Sequence, residues 1–356
     1  MNKLLKIALS TTSLVGLCLM ALVVQAGSWD NFKLRYFHLT AYLHNQDQEI
    51  TDLQKQNLNP AKFTRINLTE LLNGGPPKDG IPSIDNPKFD TAQTTPFSKT
   101  ETVIGVVVNG EAKAYPFGVM NWHELVNDTV GGVNVSVSYC PLCDTIVAFN
   151  RSNTTYGVSG KLYQSCLVMY DRTDDTLYSQ PWAMGIIGAK VNRNLKTIPA
   201  IKTTLGAWLS KYPNSKILST DTGYNRAYFS YPYGSYYTDK RIIFPVRNQQ
   251  RLTLLDAVAH GGNPQDRAAS LHPKAIVSYV WEADQQTPKN QFSGASYQFV
   301  HDQLKKVGEK VVEFNGRPIR ARWDSQLQTV LVEEFDGTPI PSSTAFAFVY
   351  PAYFGK

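Results

Sequence analysis

A weak internal match, supported by few identities, limits the fold of this chain more strongly than any other feature of its sequence. Adding 184 to every position from Gly110 to Asn150 gives a gapless, orderly match. Gly110 falls on Gly294, Tyr115 on Phe299, Met120 on Leu304, Gly132 on Gly316, Tyr139 on Trp323 and Thr145 on Thr329. "VVVNGE" has a displaced counterpart in "SYVWEAD", after a longer loop. Both stretches keep the apolar pattern of a hairpin, a helix, a turn and two strands. The pattern predicts a β-rich α+β fold made of two degenerate copies of one hairpin–helix–two-strand unit.

Within the first copy, "TVIGVVV" and "NGEAKAYPF" read as a hairpin closed by Asn109-Gly110, because Asn-Gly is the strongest short hairpin signal. A short helix in "GVMNWHELVND" follows, then "TVGG" as a turn, then the strands "VNVSVSY" and "DTIVAFN". Between the copies, "YGVSGKLYQSCLVMYDRTDDTLYSQ" predicts three short strands with a turn at Asp174-Asp175, and "TTLGAWLSKYP" a helix. The Tyr- and Gly-rich "DTGYNRAYFSYPYGSYYTDK" is irregular. Such a segment either lines a binding surface or caps a β core. The expected division is residues 27–95 as an N-terminal extension, 96–250 as a first module and 251–356 as a second, cysteine-free module. The extension holds a short helix and the breaker-rich loop "GGPPKDGIPSIDNPKF".

Apolar residues make up 42% of the chain and charged residues 18%, which is normal for a folded protein. The net charge of +6 comes with no dense Lys/Arg cluster, so a nucleic-acid partner is not expected. At the start, "MNKLLK" is basic, residues 7–24 are almost wholly apolar, and "VQA" precedes Gly27. This reads as a secretory signal over residues 1–26, or as an uncleaved anchor tethering the protein to the inner membrane through residues 7–24. Either places the rest of the chain outside the cytoplasm, in the periplasm or another extracytoplasmic space. Losing Lys3 and Lys6 with the signal lowers the charge to +4. Four N-x-S/T sequons, at Asn67, Asn127, Asn134 and Asn153, matter only in a eukaryotic secretory pathway and are read as chance.

Cys18 lies in the apolar start, leaving Cys140, Cys143 and Cys166. An odd, small number suits chemistry better than a disulfide scaffold. A C-P-x-C element can be a redox dithiol, half of a metal site or a structural disulfide. Redox dithiols usually sit at a helix N-terminus, whereas Cys143 is followed by the strand-like "DTIVAFN". A turn between strands suits two thiolate ligands of one metal ion, and the second copy has Asp324 and Leu327 where these cysteines stand. His123, which the second copy replaces by Val307, is the candidate third ligand and Met169 the fourth. Such a set is soft and favours copper or zinc. Cys166 and Met169 are three apart in a strand, so they face opposite sides. Two tempting motifs fail. "HELVN" has Asn127 where H-E-x-x-H needs its second His, and "GVSGK" has Lys161 where G-x-S-x-G needs Gly, which leaves Ser159 a poor nucleophile. Asp128, Asp171 and Arg172 lie near these segments, and Asp171-Arg172 reads as an ion pair or turn rather than a substrate clamp.

"GEAKAYP", "NWHELVNDTVGG", "SYCPLCDTIVAFNR", "GVSGKLYQSCLVMYDRTDDTLYSQ" and "STDTGYNRAYFSYPYGSYY" together resemble the prokaryotic domain-of-unknown-function family three-one-seven-nine, over roughly residues 90 to 351. The resemblance implies no established activity. It implies a cysteine-free second repeat, Gly where this chain has Asp144, and often Asn or Asp where it has Cys166.

The first functional expectation is therefore an exported metal-binding protein with Cys140, Cys143 and His123 as ligands. The alternative is a thiol–disulfide redox protein using Cys140 and Cys143, with His123 or Glu124 as proton acceptor. The third is a non-catalytic binding module with a structural disulfide. A shared metal requires a His123 ring nitrogen within about 5 Å of the sulfurs, given metal–ligand bonds of about 2 Å. The redox reading fails if the pair does not cycle under glutathione buffers, or if Cys143 is deeply buried.

Overall fold

A computed structural model describes residues 48–239, 241–248, 271–283 and 291–355. The expected signal or anchor, residues 1–26, lies outside them. Among the described residues no helix is long and apolar enough to cross a membrane. The architecture is β-rich α+β: short helices around several small sheets.

Three sheets stack. The outer one orders Ala200–Thr204, Thr102–Val108, Glu111–Pro116, Lys216–Leu218 and Phe89–Asp90. The middle one orders Lys196–Ile198, Thr145–Asn150, Val133–Cys140 and Leu125–Val130. The third orders Leu71–Asn73, Tyr156–Tyr163, Cys166–Asp171, Leu177–Ser179 and Met184–Ile187. Alternation along the middle strands decides what faces where. Val126, Val135, Val137, Tyr139, Ile146 and Ala148 enter the core shared with the outer sheet. Leu125, Cys140, Val147 and Phe149 enter the core shared with the third sheet. The same face carries Asn127 and Ser136, buried but paired. Ser136 donates to Asn127 Oδ1 at 2.6 Å, and Asn127 Nδ2 donates to the Tyr156 carbonyl at 2.8 Å. That pairing joins two sheets and puts this sequon's Asn127 at 1% exposure, closed to modification.

The Asn109-Gly110 hairpin forms as expected, with φ of 47° and 82° at its corners. The helix differs from expectation. It covers only Phe117–His123 and ends on Glu124, whose φ of 57° is left-handed. "LVNDTV" is then a strand, Leu125–Val130, pairing with Val133–Cys140 across Gly131-Gly132. The unit is thus a hairpin, a helix and three strands. The left-handed residue breaks the helical period, and burial of Leu125, Val126 and Val130 favours a strand over a helix continuation.

Farther along the chain come Ile276–Ala283, Gly294–Val300, the helix His301–Val307, Glu309–Phe314, Arg317–Asp324 and Thr329–Glu333. These have their own small core around Phe299, Leu304 and Ile319. The strand Ser343–Phe346 then returns to the thiol side. Its Ser343 Oγ donates to the Ile146 carbonyl at 2.6 Å, and the Phe346 N–H to the Cys143 carbonyl at 2.9 Å.

Candidate functional site

The cysteines sit on a turn between adjacent strands. Cys140 ends one strand and is paired across the turn with Thr145. The Cys143 N–H closes the turn on the Cys140 carbonyl at 3.3 Å. Cys166 opens the neighbouring strand of the third sheet. All three are free thiols and buried, Cys140 at 1% exposure and Cys143 at 0%. They share one buried cluster, and each perturbs the titration of its neighbour in the order Cys140, Cys143, Cys166. Burial pushes all three thiols above their ordinary range, so each rests protonated.

Glu124 completes the centre. Its backbone strain is stored beside the thiols, which is where strained residues cluster in functional sites. The side chain is 7% exposed, and burial pushes its carboxyl up to about 7, against the hydrogen bond from Tyr233 that pulls the other way. The Tyr233 hydroxyl donates to Oε1 at 2.9 Å. The carboxylate's charge reaches Cys140 and helps hold that thiol protonated. A buried carboxyl balanced near neutral pH next to a thiol can take and return its proton.

His123 and Met169 are placed otherwise. The His123 Nδ1 donates to the Pro82 carbonyl at 2.8 Å, and Nε2, 2.8 Å from the Tyr228 hydroxyl, accepts from it in the neutral ring. Burial lowers its pKa, which keeps it neutral. Both ring nitrogens are thus committed to Pro82 and Tyr228. Met169 is fully buried in the strand that Cys166 opens, three residues on and on its other face. Among the described residues no group of three or more His, Cys, Asp or Glu side chains is arranged to hold a metal ion. Of the expected ligands the fold brings together the cysteines, with Cys166 beside them.

The Tyr-rich segment caps this centre. Besides Tyr233, the Tyr236 hydroxyl donates to the Leu142 carbonyl at 2.7 Å, inside the C-P-x-C turn. Lys274 holds the segment from beneath, donating to the Tyr236 carbonyl with its ammonium 3.4 Å from that ring's centre. Burial lowers the Lys274 pKa to about 8. Lys202 pairs with the buried Asp144 and donates to the Tyr237 hydroxyl at 2.9 Å. Asp144 has φ of 53°, a conformation in which Gly is at ease and Asp is not. Here its carboxylate anchors Lys202 instead.

Sequence reasoning named Glu124 only as one of two possible proton acceptors and gave no role to Tyr233, Tyr236 or Lys202. A signal for Glu124 was present: its match in the second stretch is Gly308, also left-handed, with φ of 87°. Glu124 takes a backbone conformation that favours Gly, and its side chain is buried and hydrogen-bonded to Tyr233. Asp171 and Arg172 lie apart, Asp171 paired with Lys190 and Arg172 with Asp79, as an ion-pair role requires.

Fold and centre define a class: a β-rich α+β protein carrying three buried thiols and a carboxyl around a strand-to-strand turn. Within it, the chain belongs to the family described as protein of unknown function (DUF3179), whose model matches residues 78–356. No curated protein and no solved structure matches the chain.

Proposed function

We propose that this protein is a thiol–disulfide redox protein in which Cys140 and Cys143 cycle between dithiol and disulfide, with Glu124 as proton acceptor. One observation carries the reading: Glu124 is buried and left-handed, its backbone carbonyl accepts from the N–H of Tyr139, the residue before Cys140, at 2.8 Å, and burial holds its carboxyl near pH 7. In the reaction, Cys140 Sγ attacks one sulfur of a low-molecular-weight disulfide RSSR and expels RS⁻, while Glu124 takes the Cys140 proton. Cys143 then attacks the Cys140 sulfur of the mixed disulfide and releases the second RS⁻. Two protein thiols are oxidised and RSSR is reduced to two RSH, which gain the two protons the cysteines lose. The thiol is a weaker acid than Glu124, and each unit of mismatch costs about 1.4 kcal/mol. Proton removal is therefore concerted with attack. Cys143 at 0% and Cys140 at 1% exposure are both closed to solvent, against the expectation of an accessible Cys143, so the reading requires that the Tyr231–Tyr237 segment lift. Cys140 is taken as the entering thiol because Glu124 acts on it.

The metal-binding expectation is less well supported, because both nitrogens of His123 are committed elsewhere. With its signal-like N-terminus, the protein is proposed to act outside the cytoplasm, where disulfides persist. We propose also that the chain is a degenerate duplication with modules 96–250 and 251–356. In support, Phe117–His123, Leu125–Val130 and Val133–Cys140 recur as His301–Val307, Glu309–Phe314 and Arg317–Asp324, each 184 positions on. The left-handed residues Gly132 and Asp144 likewise recur as Gly316 and Gln328.

Oxidised glutathione tests the redox reading. The wild type is expected to form the Cys140–Cys143 disulfide, Cys140→Ser to form none between these positions, and Glu124→Gln to react at least tenfold more slowly, general bases being worth about 10²–10⁴. Protein purified without chelator that carries one copper or zinc ion, lost on Cys140→Ser/Cys143→Ser substitution, contradicts the reading and restores the metal-binding one.

A further inference from the structure

The Cys143 thiol lies between two partners. It shares one buried cluster with Cys140, three residues before it in the turn, and with Cys166 on the neighbouring sheet, and both thiols perturb its titration. The cysteines all belong to one buried cluster, with Leu142, Tyr236, Tyr279, Phe346 and Tyr353 around them. Cys166 sits just past Gln164 and Ser165, both left-handed, with φ of 50° and 62°, in a tight turn that fixes where its strand begins. The strand-to-strand turn is equally fixed, because its Leu142 and Cys143 carbonyls accept from Tyr236 and Phe346. Two rigidly seated backbones therefore bring a third thiol against the redox pair, and the dithiol chemistry leaves this thiol unused.

Resting on the redox reading, we propose that Cys166 is a third redox residue, which moves the disulfide from Cys140–Cys143 to Cys143–Cys166. Cys166 Sγ attacks Cys143 Sγ. The Cys143–Cys166 bond forms as the Cys140–Cys143 bond breaks, and the electron pair leaves on Cys140 Sγ. Cys140 gains the proton that Cys166 loses, with Glu124 the carboxyl next to it, so no oxidant is consumed. The exchange returns Cys140 to a thiol able to meet a second substrate disulfide. The first pair of oxidising equivalents is then held in the core, where solvent thiols cannot reach it.

Cleavage after Lys and Arg separates the outcomes. Cys140 and Cys143 fall in one peptide, residues 114–151, and Cys166 in another, residues 162–172. After treatment with oxidised glutathione and blocking of free thiols, the wild type is expected to give the first peptide with an internal disulfide together with a cross-link between the two peptides. Cys140→Ser, which lacks the entering thiol, is expected to give no cross-link, and Cys166→Ser is expected to abolish it while leaving the internal disulfide. Fragmentation of the wild-type cross-linked peptides is expected to place the bond on Cys143. An internal disulfide in the wild type with no cross-link, or a cross-link that Cys140→Ser still forms, overturns the relay and leaves the dithiol reading standing. Neither product in the wild type overturns both.

Discussion

Glu124 combines a costly backbone conformation with a costly burial, and both costs fall where a thiol needs a base. Its titration has a consequence for stability that is separate from catalysis. The unfolded chain releases this proton near the ordinary carboxyl value of 4.5, whereas the folded chain keeps it up to about 7. The folded state binds the extra proton between those values, so stability falls as pH rises through that window and stays lower above it. Glu124→Gln removes the penalty and still accepts from Tyr233. It is expected to match the wild type at pH 4 and to exceed it at pH 8 by roughly 1–3 kcal/mol, at about 1.4 kcal/mol per pKa unit. Denaturant midpoints at the two pH values with unchanged slopes check this. A variant that gains stability while losing thiol reactivity is the pattern expected of a functional residue.

Element boundaries show what was legible in the sequence. The Asn109-Gly110 hairpin, the Val133–Cys140 and Thr145–Asn150 strands and the Leu205–Lys211 helix were readable from turn chemistry and alternation. The strand Leu125–Val130 was not, because "HELVND" continues a helical period until Glu124 turns left-handed. Nor was the cap over the thiols readable. Tyr233 and Tyr236 act through contacts with residues about 90 to 110 positions away, and no local pattern encodes such a distance. Gly105 in Thr102–Val108 illustrates a second hidden requirement. A Cβ there would lie 2.2 Å from the Trp208 ring, which is fully buried and fixed by its Nε1–H on Ser215 Oγ at 2.7 Å. Gly105→Ala is expected to cost about 1–3 kcal/mol, as overpacking does, seen as a lower denaturant midpoint.

For the molecule as a whole, the thiol centre depends on segments far apart in sequence. Phe346 packs against Tyr237 at 5.5 Å and Phe348 at 6.2 Å between ring centres, while its N–H holds the Cys143 carbonyl. Truncating its ring leaves the backbone tie but empties the space under the tyrosine cap. Phe346→Ala is expected to cost about 3–5 kcal/mol and to raise the rate at which iodoacetamide labels Cys140 in the native protein. Unchanged labelling would show that the cap does not control access. The central claim is that Glu124 governs Cys140, and the most direct measurement is the pH dependence of Cys140 oxidation by oxidised glutathione in the wild type and Glu124→Gln. The wild-type rate is expected to rise through an apparent pKa near 7, with that step absent from the variant. Identical profiles in the two proteins would contradict the account.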